Sequence, residues 1–279
     1  MLFPREQHLH ISWNDSLISK SLAYVRTKVQ YELSRTPTAV RETNNGADIA
    51  LQRDGIVVLP WFFSWQQIAT LRDSIPQDLY VPTPEMQHSA HNPLADKLIS
   101  NAEKIQGLES FFHNQQITDI VHSYLSKNAI PGRNFVRTKK DTWPVASFEN
   151  FYHFDSIKNR VKVFLYLGDV TWDNAPVAYL RWTHKLWLWK LKQEIEMHAG
   201  YRKNQEWYAQ DDISSYIWCY WPHEVEVLKQ KYGFTENIVT WNAWTVIIFD
   251  AKWLHKATQL LSGERSILMT HWFMPNHHT

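Results

Sequence analysis

One stretch limits the fold of this chain more than any other: YHFDSIKNRVKVFLYLGD, from Tyr152 to Asp169. Its second half alternates. Val161, Val163, Leu165 and Leu167 fall on one side of a strand, and Lys162, Phe164 and Tyr166 on the other, because strand side chains repeat every two residues. Just ahead stand His153 and Asp155. On a strand both side chains leave the same face, so two metal-capable groups converge on one point. Taken alone, a His-x-Asp is better read as a surface pair at a strand end; the rest of the chain has to decide.

The surrounding pattern is that of a β domain. Strand-like segments dominate from about residue 134, at 134–138, 148–155, 161–168, 176–181, 239–249 and 264–274. Ahead of them, residues 15–34 have the spacing of an amphipathic helix, 35–46 read as a connector, and 51–75 read as a strand, a turn at Pro60 and a helix capped by Ser64. A mixed helical stretch is expected near 95–128. A long insert at about 185–235, rich in Trp, Tyr and charge, has the size and place of a lid or binding element. The expected organisation is a helical extension, 1–46, packed on one β domain, 47–279.

Composition removes several chemistries. The single cysteine, Cys219, excludes a disulfide framework, a Cys-rich zinc site and a protein-held iron–sulfur cluster. With eight glycines and no GxGxxG or GK[ST], the usual nucleotide cradles are absent. A net charge of +1 argues against a nucleic-acid partner. The apolar runs are too short to cross a bilayer and the N-terminus lacks a signal-peptide core, so no membrane partner and a cytoplasmic location are expected. Oligomeric state is left open. Fourteen histidines and fifteen tryptophans are the excesses, so cofactor chemistry has to rest on His, carboxylate and aromatic groups.

About a hundred residues after Asp155 comes WTVIIFDAKWLHKATQLLSGERSILMTHWF, 244–273. A strand ends near Asp250, His255 follows, then a Gly-containing turn and a second strand opening with Arg265. His153, Asp155 and His255 form the pattern of a 2-His-1-carboxylate triad, which occupies one face of an octahedral metal and suits non-haem Fe(II) oxygenases. The planar guanidinium of Arg265 can hold the far carboxylate of 2-oxoglutarate through two hydrogen bonds. The blander reading pairs Arg265 with Asp250 or Glu264. Arg265, Ile267, Met269, His271 and Phe273 share a parity and are expected to face the interior, with His271 equally a core residue or part of the site's rim. His184 reads as a structural hydrogen-bonding group.

Here the chain resembles the phytanoyl-CoA dioxygenase-like Fe(II)/2-oxoglutarate oxygenases, over roughly 47–274. RDGIVVLPWFFSWQQIATLRDSI is similar to that family's opening strand and helix, YHFD to its His-x-Asp, FLYLGDVTWDNAPVAYLRWTHK to its strand, acidic turn and closing segment, and WLHKATQLLSGERSIL to its distal His and following Arg. The resemblance implies a mainly β fold with flanking helices, the double-stranded β-helix of the jelly-roll, cupin-like class. It implies Fe(II) on His153, Asp155 and His255, 2-oxoglutarate on Arg265, and O2 as the oxidant. The chain departs from the family's pattern where Asn-Gly-Pro is Asn174-Ala175-Pro176, where Gly-Ser-His is Trp182-Thr183-His184, and where a Ser two residues past the distal His is Ala257, with Thr258 next. Further cosubstrate contacts are expected among Thr258, Arg137, Lys139, Lys162 and Tyr166.

The expected activity is hydroxylation of an unactivated C–H bond of a small-molecule metabolite, a natural-product tailoring step. The retained Asp155 distinguishes the chain from halogenases, in which this carboxylate is replaced. Desaturation, epimerisation, ring closure or an acyl-CoA substrate are enzymatic alternatives, and a metal-binding sensor or pseudo-enzyme is the non-enzymatic one. Most tryptophans after residue 180 are expected to pack. A minority lining a cavity would suit a cationic or aromatic molecule, such as a guanidinium-bearing alkaloid. Tyr152, Trp182, His271 and Trp253 are the substrate-contact candidates.

Overall fold

The alternating segment becomes strand β6, Arg160–Tyr166, and its two faces meet two different environments. The structure, a computed structural model, describes residues 46–83, 95–140, 148–155, 159–185, 189–191 and 218–274, together with Leu22, Val25 and Arg26. The remaining strands are β1 (Ile56–Leu59), β2 (Val81–Pro82), β3 (Asp96–Ser100), β4 (Ile130–Lys140), β5 (Tyr152–Phe154), β7 (Val177–Leu180), β8 (Trp218–Tyr220), β9 (Glu236–Val239), β10 (Val246–Asp250), β11 (His255–Ala257) and β12 (Glu264–Phe273). The helices are α1 (Ala47–Asp54), α2 (Trp65–Asp73), α3 (Glu109–Phe112), α4 (Gln115–Tyr124) and α5 (Pro222–Tyr232).

A seven-stranded antiparallel sheet runs β1-β10-β6-β12-β4-β3-β2, and a five-stranded one runs β8-β5-β11-β7-β9. From β4 to β7 the chain alternates between the larger and the smaller sheet, and from β10 to β12 it does so again. This is the double-stranded β-helix, with helices on its flanks.

Val161, Val163 and Leu165 of β6, with Leu167 just past its end, pack outward with Val246, Ile248 and Leu268 beneath Leu51 of α1, Ile68 of α2 and Val121 of α4. Burying each such side chain contributes roughly 1.5–3 kcal/mol. Phe164 and Tyr166 point the other way, into a core between the sheets with Ile247, Phe249, Ile267, Val177, Val239 and Trp253. A third cluster covers the outer face of the smaller sheet, where Tyr152, Phe154, Leu180 and Tyr220 lie under Val225 and Leu228 of α5 and beside Trp189.

Several local expectations are corrected. Leu51–Asp54 is the end of α1 rather than strand; Gly55, at φ 70, ends the helix by donating its N–H to the Leu51 carbonyl. Residues 96–100 form β3 rather than helix, pairing with β4. The run 239–249 divides: β9 ends at Val239 in the smaller sheet and β10 begins at Val246 in the larger, with Trp244 between them at φ 70. Phe148–Asn150 is a 3-10 turn and not part of a strand. The capping of α2 by Ser64 is present, as a reciprocal box with Gln67. Of the 1–46 extension only Leu22, Val25, Arg26 and Gly46 are described, and of the insert only its two ends. The far end of the insert is built into the fold, with β8 adding an edge to the smaller sheet and α5 covering that sheet's outer face.

Candidate metal centre

β5 and β11 are antiparallel neighbours with His153 directly opposite His255. Paired residues project from the same face, so the two imidazoles stand side by side, ring centroids 4.5 Å apart. Asp155 lies just past the end of β5 and is fixed by its N–H donating to the Ala251 carbonyl at 3.1 Å. Its carboxylate reaches both histidines, Oδ1 at 3.7 Å from His153 Nε2 and Oδ2 at 3.3 Å from His255 Nε2. All three donor atoms lie within 4.8 Å of one another. Cis ligands on an octahedral ion with ~2.1 Å bonds stand about 3 Å apart, so a modest inward movement closes this set on one ion.

The tautomers are also set. His153 Nδ1 lies 2.8 Å from the Phe151 carbonyl and His255 Nδ1 lies 2.9 Å from the Trp253 carbonyl. A carbonyl only accepts, so each Nδ1 carries the proton and each Nε2 keeps its lone pair toward the centre. Burial and the neighbouring His255 push His153 down to about 4, so it is a neutral ligand at ordinary pH. Burial alone would raise the Asp155 carboxyl, but the Lys162 ammonium and both histidines hold it well below the usual range.

Lys162 was expected among the cosubstrate contacts; the structure places it instead at the metal donors, Nζ 2.8 Å from Asp155 Oδ2. Arg137 and Lys139 face the interior but already have partners. Arg137 donates to Asp96 at 2.8 and 2.7 Å and to Glu149 at 2.5 Å, and Lys139 donates to Glu149 at 2.8 Å. Two cations and two carboxylates balance. This buried network fastens the turn that leads into His153 onto β4. Thr258 directs its one hydroxyl proton to the Pro176 carbonyl at 3.1 Å, which leaves none for a carboxylate ligand. Its role is to hold the 174–176 turn.

Arg265 is different. It is buried, it donates to the Ala175 carbonyl, and its Nε has no partner. Asp250 instead accepts from the Tyr124 hydroxyl at 2.6 Å, and Glu264 from Ser266 Oγ at 2.9 Å, so neither serves as its counter-ion. Burial draws the guanidinium below its ordinary pKa. A buried cation with an orphaned N–H calls for an anion. Beside it, Tyr166 is raised to about 12 by burial, and its hydroxyl donates to the Val239 carbonyl at 3.4 Å.

The substrate candidates separate by parity. Tyr152 leaves β5 on the face opposite His153 and packs in the outer cluster, with Lys256 Nζ 4.7 Å from its ring centroid. Trp182 is a surface residue at φ 68, with the Arg181 guanidinium 5.0 Å from its ring centroid. Trp253 is core, stacked on Tyr179 at 4.2 Å. His271 faces the interior, opposite Lys162 across the β12–β6 pair. His184 is buried edge-on to Trp253, at 5.9 Å. Sequence reading missed Tyr179 and Cys219, which flank His255 and His153 on the same face; β7 and β8 bring them there, and the distances in sequence give no hint of it.

Neither a protein-family model nor a curated protein matches the sequence. Solved structures do match its fold. The epimerase SnoN, in complex with Fe3+, alpha ketoglutarate and nogalamycin RO, superposes with a TM-score of 0.55 at 12% identity over 81% of this chain and 82% of its own. EctD from S. alaskensis with 2-oxoglutarate and 5-hydroxyectoine gives 0.55 at 15% identity, over 85% and 80%. The non-heme alpha ketoglutarate dependent carbocyclase SnoK from nogalamycin biosynthesis gives 0.52 at 14%, over 85% and 86%. The chain shares with them the double-stranded β-helix, and on it carries a His-Asp-His cluster arranged as a metal centre.

Proposed function

We propose that the protein is an Fe(II)/2-oxoglutarate-dependent oxygenase acting on a small-molecule metabolite, with hydroxylation of a C–H bond as its reaction. One observation carries the reading: two Nε2 lone pairs and a carboxylate converge between the sheets, while on β12 a buried guanidinium lacks an anion. His153, Asp155 and His255 would hold the iron, and Arg265 the far carboxylate of 2-oxoglutarate. When bound, iron, 2-oxoglutarate and O2 supply the oxidant, one oxygen atom going to the substrate and one to succinate, with loss of CO2.

The chain's own residues do the rest. The Nδ1–H bonds to strand carbonyls keep both imidazoles oriented with Nε2 toward the centre. Lys162 holds Asp155 Oδ2 at 2.8 Å, and Asp155 Oδ1 would be the oxygen left for a bound metal. Phe164, Phe249, Ile267 and Val239 keep the interior dry. The phytanoyl-CoA dioxygenase-like resemblance supports the same residue assignments. SnoN and SnoK, an epimerase and a carbocyclase on this fold, support epimerisation or ring closure as the second reading.

The test is uncoupled turnover. Purified protein given Fe(II), 2-oxoglutarate and O2 is expected to form succinate, and His153→Ala to stop it. A protein that neither binds 2-oxoglutarate nor forms succinate sinks the proposal in favour of a metal-binding sensor. Product mass then separates hydroxylation, a gain of one oxygen, from a redox-neutral epimerisation or a two-hydrogen loss on ring closure.

A further inference from the structure

The interior face of the larger sheet changes along β12. Arg265 and Ile267 are buried, whereas Met269 and Phe273 keep part of their surface exposed, as do Phe135 opposite Met269 and Lys162 opposite His271. Side chains that share an interior face and stay partly exposed mark where that interior opens. His271 lies within this band, and Lys162 joins the band to the metal donors through its ion pair with Asp155 at 2.8 Å. Phe164, across from Met269 on the other side, adds a buried ring. Of these side chains only Lys162 and His271 are polar.

We propose that this cavity receives a largely apolar or aromatic substrate and that His271 orients it, accepting at Nδ1 a hydrogen bond from a substrate hydroxyl or N–H. The inference rests on the oxygenase reading for the reaction done there, while the acceptor itself follows from the contacts of the ring. His271 is 7% exposed, its Nε2 lies 3.4 Å from Met269 Sδ, and its Nδ1 has no partner among the described residues. A thioether sulfur has no proton to give, so Nε2 carries the hydrogen and donates it, and Nδ1 keeps a bare lone pair. Burial above all, with Lys162 and Arg160 beside the ring, outweighs the pull of Asp155 and keeps the imidazole neutral. A buried acceptor left unmatched is costly, so the site favours an occupant that brings a donor.

The surroundings fix the ring between apolar walls. Phe135 and Phe273 flank it, with centroids 5.9 and 6.2 Å away. Just beyond His271 the pairing of β12 with β4 shifts: His271 faces Arg133 and Trp272 faces Pro131, so Gly132 is the extra residue of a bulge. A Cβ on Gly132 would come within 2.6 Å of the Phe273 ring, so the glycine is what lets this wall lie against β4. One polar atom held between aromatic walls reads the direction of a ligand as well as its size, which apolar walls alone do not.

The test is the binding of matched ring pairs to protein loaded with Zn(II) and 2-oxoglutarate. Indole and phenol each carry a donor; benzofuran and fluorobenzene have nearly the same shapes without one. Indole and phenol are expected to bind roughly tenfold tighter than their counterparts, a difference of about 1.4 kcal/mol. In 15N-histidine-labelled protein the Nδ1 resonance of His271, identified by its loss in His271→Leu, is expected to be that of an unprotonated nitrogen and to move on adding indole but not benzofuran. His271→Leu should erase the preference, and His271→Asn, whose side-chain oxygen can stand near the place of Nδ1, should keep most of it, with Zn(II) and 2-oxoglutarate affinities unchanged in both. Equal binding within each pair, no binding of any of the four, a preference that persists in the folded His271→Leu protein, or an Nδ1 that is protonated or unmoved by indole overturns the inference. If the unmodified protein takes up neither Zn(II) nor 2-oxoglutarate, the oxygenase reading falls instead, and the same four probes on metal-free protein still decide the role of His271.

Discussion

At the scale of single residues, the candidate metal centre depends on which nitrogen of each imidazole faces the carboxylate. Strand carbonyls capture Nδ1 of both histidines, and what remains is a pair of Nε2 lone pairs beside a carboxylate. His153→Ala is therefore expected to weaken metal binding by more than the ~10–100-fold typical of losing an outer-shell partner, as measured by titration with Mn(II) or Co(II). Arg265→Gln separates the two halves of the site. It removes the charge but leaves the metal donors intact, so 2-oxoglutarate affinity is expected to fall about 10–100-fold while metal affinity holds. Ala175 presents a different residue-scale question, because it sits at φ 62 without the freedom of glycine. Relief of that strain in Ala175→Gly is expected to stabilise the protein by up to about 1 kcal/mol in denaturant unfolding, and a loss of stability would show that the Ala175 methyl packs favourably.

At the scale of elements, two connections hold the triad in place. The first is the junction of α1 and β1. Gly55 has φ +70, and a Cβ there would come within 2.5 Å of the His184 ring and 2.7 Å of Trp253 Nε1. Gly55→Ala thus combines backbone strain with overpacking, and is expected to destabilise the fold by about 2–3 kcal/mol. Because Trp253 precedes His255 by two residues, metal affinity should fall with it. The second connection is the buried network that ties the 148–150 turn to β4. Burial opposes ionisation of Glu149, but Arg137 and Lys139 hold it well below the ordinary glutamate range. A depressed carboxylate contributes stability that is present above its unfolded pKa, ~4.3, and is lost as pH falls through the folded value. Glu149→Gln is expected to cost about 3 kcal/mol at neutral pH, and the difference from the unmodified protein to shrink on acidification below about pH 4.

At the scale of the whole molecule, the metal donors belong to the smaller sheet while Lys162 and Arg265 belong to the larger, so ligand binding is expected to clamp one sheet to the other. Mn(II) and 2-oxoglutarate, each at about 100 times its dissociation constant, should each add roughly 2.7 kcal/mol to stability, about 5.4 kcal/mol together, read as a rise in the unfolding midpoint. EDTA should abolish that rise, and His153→Ala should show none. An equal rise in the His153→Ala protein would place the ions elsewhere. Size and composition also set limits here: among the described residues no helix is long and apolar enough to cross a membrane.

The sequence by itself determined the alternation of β6, its division into a helix-facing and an interior side, the capped start of α2, and the candidate set of His153, Asp155 and His255, because each is a matter of local spacing or of a residue type with few other uses. It could not determine which cations are already neutralised. Arg137 and Lys139 looked as suitable for an anion as Arg265, and only the arrival of Asp96 on β3 and of Glu149 on its turn, 41 and 12 residues from Arg137 in sequence, set them aside. Nor could it place β11 and β8 on either side of β5, or bring Arg133 and Arg160 around His271, since register between distant strands is fixed by burial of whole faces rather than by any short motif. Local chemistry supplied the candidate donors; the tertiary structure decided which cations are paired within the protein, because a buried charge is settled by whichever partner the fold brings beside it.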